Sequence, residues 1–316
     1  HLISTATSSK KQARTPQELG QEFWDELKRR EKLGGNLIIG HSFYTLPSIN
    51  MIFGGIRPGH LIVLAGDTGA GKSILALNML HCFSIVDDKK YLWIGQEMAS
   101  VENTMRLASI ITGISNTRIQ SGAVTQREAQ VLAEAKLKID NSGFYWAHPN
   151  IGHIDEILAL IDEYRWKYDI EGIIWDYVGM VVKAPDQRGW SREEILGYAA
   201  TTIKQRITVD MGLPAIMIAQ MNRDKHAEGK QKIGGSYRII QDSDDFLWIE
   251  TKTKKQISED GEKNGNRYVR VGKRRGGVDS FVANANLDVD PRSCSLRISE
   301  CSSPAEVSSL YSKLAS

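Results

Sequence analysis

The residues with the clearest chemistry are Gly66, Asp67, Thr68, Gly69, Ala70, Gly71, Lys72 and Ser73, which spell G-x-x-x-x-G-K-S. Glycines in a short loop let the backbone curl so that its N–H groups converge on phosphate oxygens. An ammonium at Lys72 suits β- and γ-phosphates, and a hydroxyl at Ser73 suits Mg²⁺. Before the loop stands Leu61-Ile62-Val63-Leu64-Ala65, an unbroken apolar run of the kind found in buried parallel strands. After it, Ile74 to Leu80 reads as a helix whose positive N-terminal end adds to the anion site. In that context the eight residues are a phosphate cradle, and the expected ligand is a nucleoside triphosphate.

Three more strand tips carry polar groups where ligands collect in parallel sheets, at the carboxyl ends of strands. The run Ile173-Ile174-Trp175-Asp176 ends in a carboxylate, and beside a phosphate cradle Asp176 is expected to hold Mg²⁺ through its water shell. Trp93-Ile94-Gly95-Gln96-Glu97 ends in another. Glu97 reads as a base that activates water for in-line attack, or as an acid answering the dipole of the next helix. Ile218-Ala219-Gln220 ends in an amide, which reads equally as a γ-phosphate sensor or a solvated strand end. Lys273-Arg274-Arg275 precedes Gly276-Gly277. These cations read as a solvated turn, or as side chains that extend beyond the subunit as an arginine finger does.

Such positions need elements to hold them. From Asn36 onward, apolar strands alternate with amphipathic helices, the mark of a parallel sheet covered on both faces. Strands are expected at 61–65, 91–95, 143–147, 172–176, 214–219, 245–250, 267–272 and 280–285. Helices are expected at 72–83, 100–112, 125–139, 153–167 and 191–211. The late strands follow one another without intervening helices, which predicts an antiparallel extension at the C-terminal edge. Two long polar stretches, 182–190 and 222–240, fit neither class, and loops of that length tend to be functional.

Upstream, residues 1–15 read as a disordered linker or tag remnant. Thr15-Pro16-Gln17-Glu18 then opens a helix with a capping box, and Leu19, Phe23, Trp24 and Leu27 form its apolar stripe. That stripe packs on its own domain or docks on a neighbouring subunit. At the other end, 301–316 reads as a tail with a short helix from Pro304 to Leu314. The 316 residues carry a net charge of only +2, so a nucleic-acid partner would have to be gripped by local clusters. Three scattered cysteines make no metal spacing or disulfide framework, and a reducing compartment is the default. No apolar run is long enough to span a membrane, and no signal peptide is visible. A first residue of His1 suggests a piece of something longer.

The motifs taken together are recognisable. The cradle at 66–73 is followed by Gln96-Glu97-Met98 with Arg106 downstream, and then by Ile174-Trp175-Asp176-Tyr177. Next come Gln220-Met221-Asn222-Arg223, Gln241-Asp242-Ser243-Asp244 and Gly272-Lys273-Arg274-Arg275-Gly276. This ordered series resembles the motor domain of the DnaB-type hexameric replicative helicases, phage members included, over residues 36–290. The resemblance implies a RecA-like P-loop NTPase core within a motor domain at 36–300, a ring of six, and hydrolysis of ATP with Mg²⁺ at subunit interfaces in the cytoplasm. It implies Glu97 as catalytic base and Gln220 as γ-phosphate sensor. Lys273 and Arg275 would reach the next subunit's site, and 16–35 would be a linker helix docked on a neighbour. The loops 182–190 and 222–240 would then line a channel holding single-stranded DNA, with primase and a helicase loader as further partners.

The chain departs from the pattern in three places. The family's N-terminal primase-binding domain has no counterpart in these residues; a truncated chain or a different upstream module would give this. The cradle opens Gly66-Asp67-Thr68 where Arg-Pro is commoner. Family members often place an arginine before the Gly-Ser pair of the DNA loop, where this chain has Gly234. The expected DNA contacts are therefore Arg223, Lys230, Lys232, Gly235, Ser236 and Arg238. The alternatives are a recombinase ATPase of the same superfamily that forms filaments on DNA, and a P-loop ring scaffold that does not translocate.

Overall fold

Leu61 to Gly66 form the central strand β1, buried at every residue. Its side chains alternate between two cores: Ile62 and Leu64 enter one, Leu61, Val63 and Ala65 the other. A strand buried on both faces must be covered twice, and the chain does this with helices on each side. The computed structural model describes residues 14–34, 37–150, 152–220, 237–275, 280–290 and 292–315.

In chain order the first half comprises α1 (Pro16–Glu31), α2 (Pro47–Phe53), β1, α3 (Lys72–Leu80), β2 (Tyr91–Gly95), α4 (Ser100–Thr112), α5 (Asn116–Ser121), α6 (Gln126–Asp140), β3 (Phe144–Ala147) and α7 (Ile154–Tyr168). The second half comprises β4 (Gly172–Asp176), α8 (Arg192–Thr202), β5 (Ala215–Gln220), α9 (Tyr237–Asp242), β6 (Asp245–Thr251), α10 (Lys254–Asp260), β7 (Arg267–Arg274), β8 (Phe281–Leu287), β9 (Ile298–Glu300) and α11 (Pro304–Ala315). Wider helical turns extend α3 through Val86 and α8 through Asp210. The nine strands form one sheet in the order β3-β2-β4-β5-β1-β6-β7-β8-β9. Strands from β3 to β6 run parallel; β7, β8 and β9 add antiparallel. This is the expected parallel core with an antiparallel extension.

Register places the chemistry. Gly66 lies opposite Gln220, and Gly95 lies opposite Asp176. Four strand tips thus end in one crevice, as ligand sites in open parallel sheets do.

The structure adds elements that periodicity did not reveal. α2 is nearly all buried, so it has no polar face to advertise a helical period. α10 interrupts the late strands that were expected to run without helices. Its capping box, Thr253 with Gln256, is legible only once a helix of seven residues is entertained. The segment 222–240 is not all loop: Tyr237 onward is helical, and 222–236 lie outside the described residues. The tail helix α11 lays Leu310 and Leu314 on the core.

α1 has the expected capping box but no buried residue. Leu19, Phe23 and Trp24 are 52%, 65% and 48% exposed. Leu27, the last residue of the stripe, is half-buried; among the described residues the chain leaves the other three largely uncovered.

Candidate functional site: a phosphate cradle at the strand tips

The loop from Gly66 to Ser73 bends sharply between β1 and α3. Gly71 sits at φ 108°, in the region glycine favours, and a Cβ there would come within 3.0 Å of Leu287. At Gly66 a Cβ would strike the Ile249 carbonyl at 2.6 Å. Both positions therefore require glycine. The Ala70 N–H donates to Asp67 O at 3.1 Å, closing the curl. The Lys72 ammonium donates to the same Asp67 carbonyl at 3.0 Å. Burial lowers the Lys72 pKa, against the opposing pull of Glu97, Asp176 and Asp67.

Asp176 is the most perturbed carboxylate of the cleft. Only 3% of it is exposed, and its pKa is raised to about 6. Burial is the main cause; a hydrogen bond with Ser73 opposes it and the charge on Glu97 adds to it. Its Oδ1 is buried without a hydrogen-bond partner. A half-satisfied buried carboxylate beside a serine hydroxyl is the donor set a hard divalent cation takes, so the residues fit Mg²⁺.

Glu97 is exposed just beyond β2 and lines the cleft with Thr68, Gly69, Gly71, Lys72, Ser73 and Gln220. The Gln220 amide donates to the Thr68 hydroxyl at 2.7 Å, linking the tip of β5 to the cradle. Gln96 accepts from the Trp175 indole N–H at 2.8 Å, and its own N–H donates to Asp176 O at 3.0 Å. Those two bonds tie the segment carrying Glu97 to the strand carrying Asp176. Met98, Arg106 and Tyr177 also line the cleft. Arg106 and Tyr177 stood in the motif series without a role; their proximity depends on how α4 and β4 pack.

Lys273 and Arg275 are not in this cleft. Lys273 lies opposite Phe246, which lies opposite Val63, three residues short of the cradle's Gly66. That is about 10 Å back along the strands and two strands across. The Lys273 ammonium donates to Ile240 O and Gln241 O at 2.7 and 2.8 Å, and also to Ser243 O. Arg275 is 72% exposed at the side chain and donates to Asp244 Oδ1 at 2.8 Å. Burial opposes charge on Asp244, but bonds from Lys204, the Leu61 N–H and Arg275 outweigh it and hold its pKa low. Arg238 is exposed on α9, with Asp242 at 3.8 Å. Arg223, Lys230, Lys232, Gly235 and Ser236 lie outside the described residues. The loop 182–190 is irregular as expected, and Trp190 packs edge-on to Tyr198 at 5.4 Å.

A cradle, a buried acid and an exposed acid at adjacent tips define the site, and comparison with known proteins gives its lineage. The family model described as DnaB-like helicase C terminal domain matches residues 44–286. The chain belongs to this family. It is 22% identical over 242 residues to a probable plasmid replicative DNA helicase of Chlamydia trachomatis, covering 75% of this chain and 50% of that protein. It is 22% identical over 264 residues to the replicative DNA helicase DnaB of Leifsonia xyli, covering 82% of this chain and 56% of that protein. The chain thus spans about half the length of these relatives. The solved ATPase domain of G40P superposes with a TM-score of 0.73 at 18% identity, over 85% of this chain and 95% of that one. The RecA-like fold and nucleotide binding follow from this membership. Among the described residues no helix is long and apolar enough to cross a membrane.

Proposed function

We propose that this DnaB-family domain is an ATP-driven motor that works as a ring of six copies on single-stranded DNA and unwinds duplex at the replication fork. One observation carries the reading: the candidate finger cations lie outside the cradle's cleft, two strands across the same sheet and, at Lys273, three residues back from the tip of β1. Lys273 and Arg275 do not line the cleft of their own Lys72, so in this reading they act on the cleft of a second copy. The exposure of Leu19, Phe23 and Trp24 on α1 supports the same assembly, because a linker helix needs a neighbour to bury it.

In the proposed reaction the cradle N–H groups and Lys72 hold the triphosphate of ATP. Ser73 and Asp176 would hold Mg²⁺, which would supply positive charge against the triphosphate. Glu97 accepts the proton of the attacking water. Gln220, through Thr68, registers whether the γ-phosphate is present. Lys273 and Arg275 of the adjacent copy stabilise the charge that develops on the transferred group, a contribution of about 4–7 kcal/mol for cations of this kind. The loop 182–190, Arg238 and the segment 222–236 would track the DNA backbone. Such binding is sequence-tolerant and salt-sensitive. A cytoplasmic setting, with primase and a loader as partners, belongs to the same proposal.

The deciding experiment is an ATPase assay on the size-fractionated oligomer, with and without single-stranded DNA. Stimulation by DNA on ring-shaped particles is expected. Filaments on DNA would point to a recombinase, and rings without stimulation to a scaffold. Lys72→Ala should abolish nucleotide binding or turnover, whereas Glu97→Gln should bind nucleotide and stop turnover. Normal hydrolysis by Glu97→Gln would remove Glu97 as the base.

A further inference from the structure

Arg267, the first residue of β7, is only 6% exposed. Its Nε donates to the Ala70 carbonyl, inside the phosphate cradle, at 2.9 Å, and its Nη1 donates to Asn266 O at 2.9 Å. Both acceptors are neutral, and among the described residues no carboxylate lies within ion-pair distance of it. Burial alone lowers its pKa. A buried cation without a counter-ion is costly to keep, and chains usually pair it or lose it. Here no described side chain supplies the anion, and the cradle is where one is expected.

The surroundings hold Arg267 in place. Its neighbour Asn266 brackets Leu287, accepting from its N–H at 3.0 Å and donating to its carbonyl at 2.9 Å. Leu287 in turn abuts Gly71. The start of β7 and the end of β8 therefore form the floor of the cradle. In a trans peptide the C=O and N–H point opposite ways. Holding the Ala70 carbonyl from below turns the Gly71 N–H away from Arg267, on the side where Gly71 lines the cleft.

We propose that Arg267 is a positioning residue for the nucleotide: it fixes the Ala70–Gly71 peptide so that its N–H meets phosphate, and its own charge is balanced only when phosphate is bound. The proposal rests on nucleotide binding at the cradle, as argued above. The test titrates the full chain with a fluorescent methylanthraniloyl-ATP in the presence of Mg²⁺, and measures the thermal midpoint without nucleotide. Arg267→Met keeps the length of the side chain and removes its charge and donors. It should weaken nucleotide binding about tenfold while the nucleotide-free midpoint stays level or rises. Arg267→Lys keeps the charge and should bind more tightly than Arg267→Met. Affinity of Arg267→Met within about threefold of the parent would overturn the proposal, since a charge-assisted contact is worth more than that. So would a loss that comes with a lower nucleotide-free midpoint, because the residue would then be merely structural. Failure of the parent chain to bind the probe would instead overturn the proposed function.

Discussion

At the scale of single residues, the cleft stores an unfavourable charge. Asp176 has its pKa raised to about 6 from 3.8, mainly by burial. A carboxyl whose pKa is raised on folding contributes stability that is complete below its unfolded value and is lost as pH rises through its folded value. The nucleotide-free chain should therefore lose stability between about pH 4 and pH 6 on account of this group. Asp176→Asn should raise the nucleotide-free thermal midpoint at pH 7.5 and remove the dependence of nucleotide binding on Mg²⁺. Calorimetry across pH, on parent and variant, checks both. An unchanged pH profile in Asp176→Asn would dissociate Asp176 from the effect. Mg²⁺ binding should likewise tighten as pH passes through the range in which Asp176 ionises.

At the scale of elements, alternation at the end of β7 sets Lys273 and Arg275, the proposed finger cations, apart from Arg274. Lys273 turns onto the carbonyls of Ile240 and Gln241 at the end of α9, and Arg275 onto Asp244 just beyond it. Arg274 between them turns away, and it stands within electrostatic reach of Arg57 and Asp245. Arg275→Ala should therefore depress ATPase turnover by about 10³-fold or more in the oligomer. It should leave nucleotide affinity near the parent value. Steady-state kinetics beside a binding titration separate the two. For α1, replacing Phe23 and Trp24 with serine removes apolar surface that the isolated chain leaves exposed. The monomer's thermal midpoint should hardly move, while the oligomer seen by light scattering should dissociate. A monomer that unfolds instead would mean that the stripe packs at home. In the core, Leu64 is fully buried at the centre of β1, and Leu64→Ala should cost about 2–5 kcal/mol in denaturant unfolding.

At the scale of the whole molecule, the proposed assembly has each chain supply two unlike parts of a catalytic centre, two strands apart in its sheet. Mixing tests this directly. Lys72→Ala copies lack a working cradle but keep the finger cations; Arg275→Ala copies have the reverse. A mixture should recover part of the parent ATPase activity, because some interfaces then join an intact cradle to an intact cation. Two inactive proteins that stay inactive when co-assembled would argue against a shared site.

What was legible in the chain followed from local rules. The cradle, the strand after which it stands, the acids at Asp176 and Glu97 and the capping box of α1 are each written within a few consecutive residues. Strand–loop–helix order and apolar runs carried the parallel core for the same reason. Tertiary structure alone decided the rest. That Gln220 meets Thr68 depends on β5 lying beside β1, and the separation of Lys273 from Lys72 depends on β7 running antiparallel. Arg267 reaches Ala70 across 197 positions of sequence. No local pattern encodes such contacts, because they are set by which strands neighbour one another and in what register. The cradle and the two acids were visible in the chain and Arg267 was not; which side chains lie together is set by the order of the strands in the sheet.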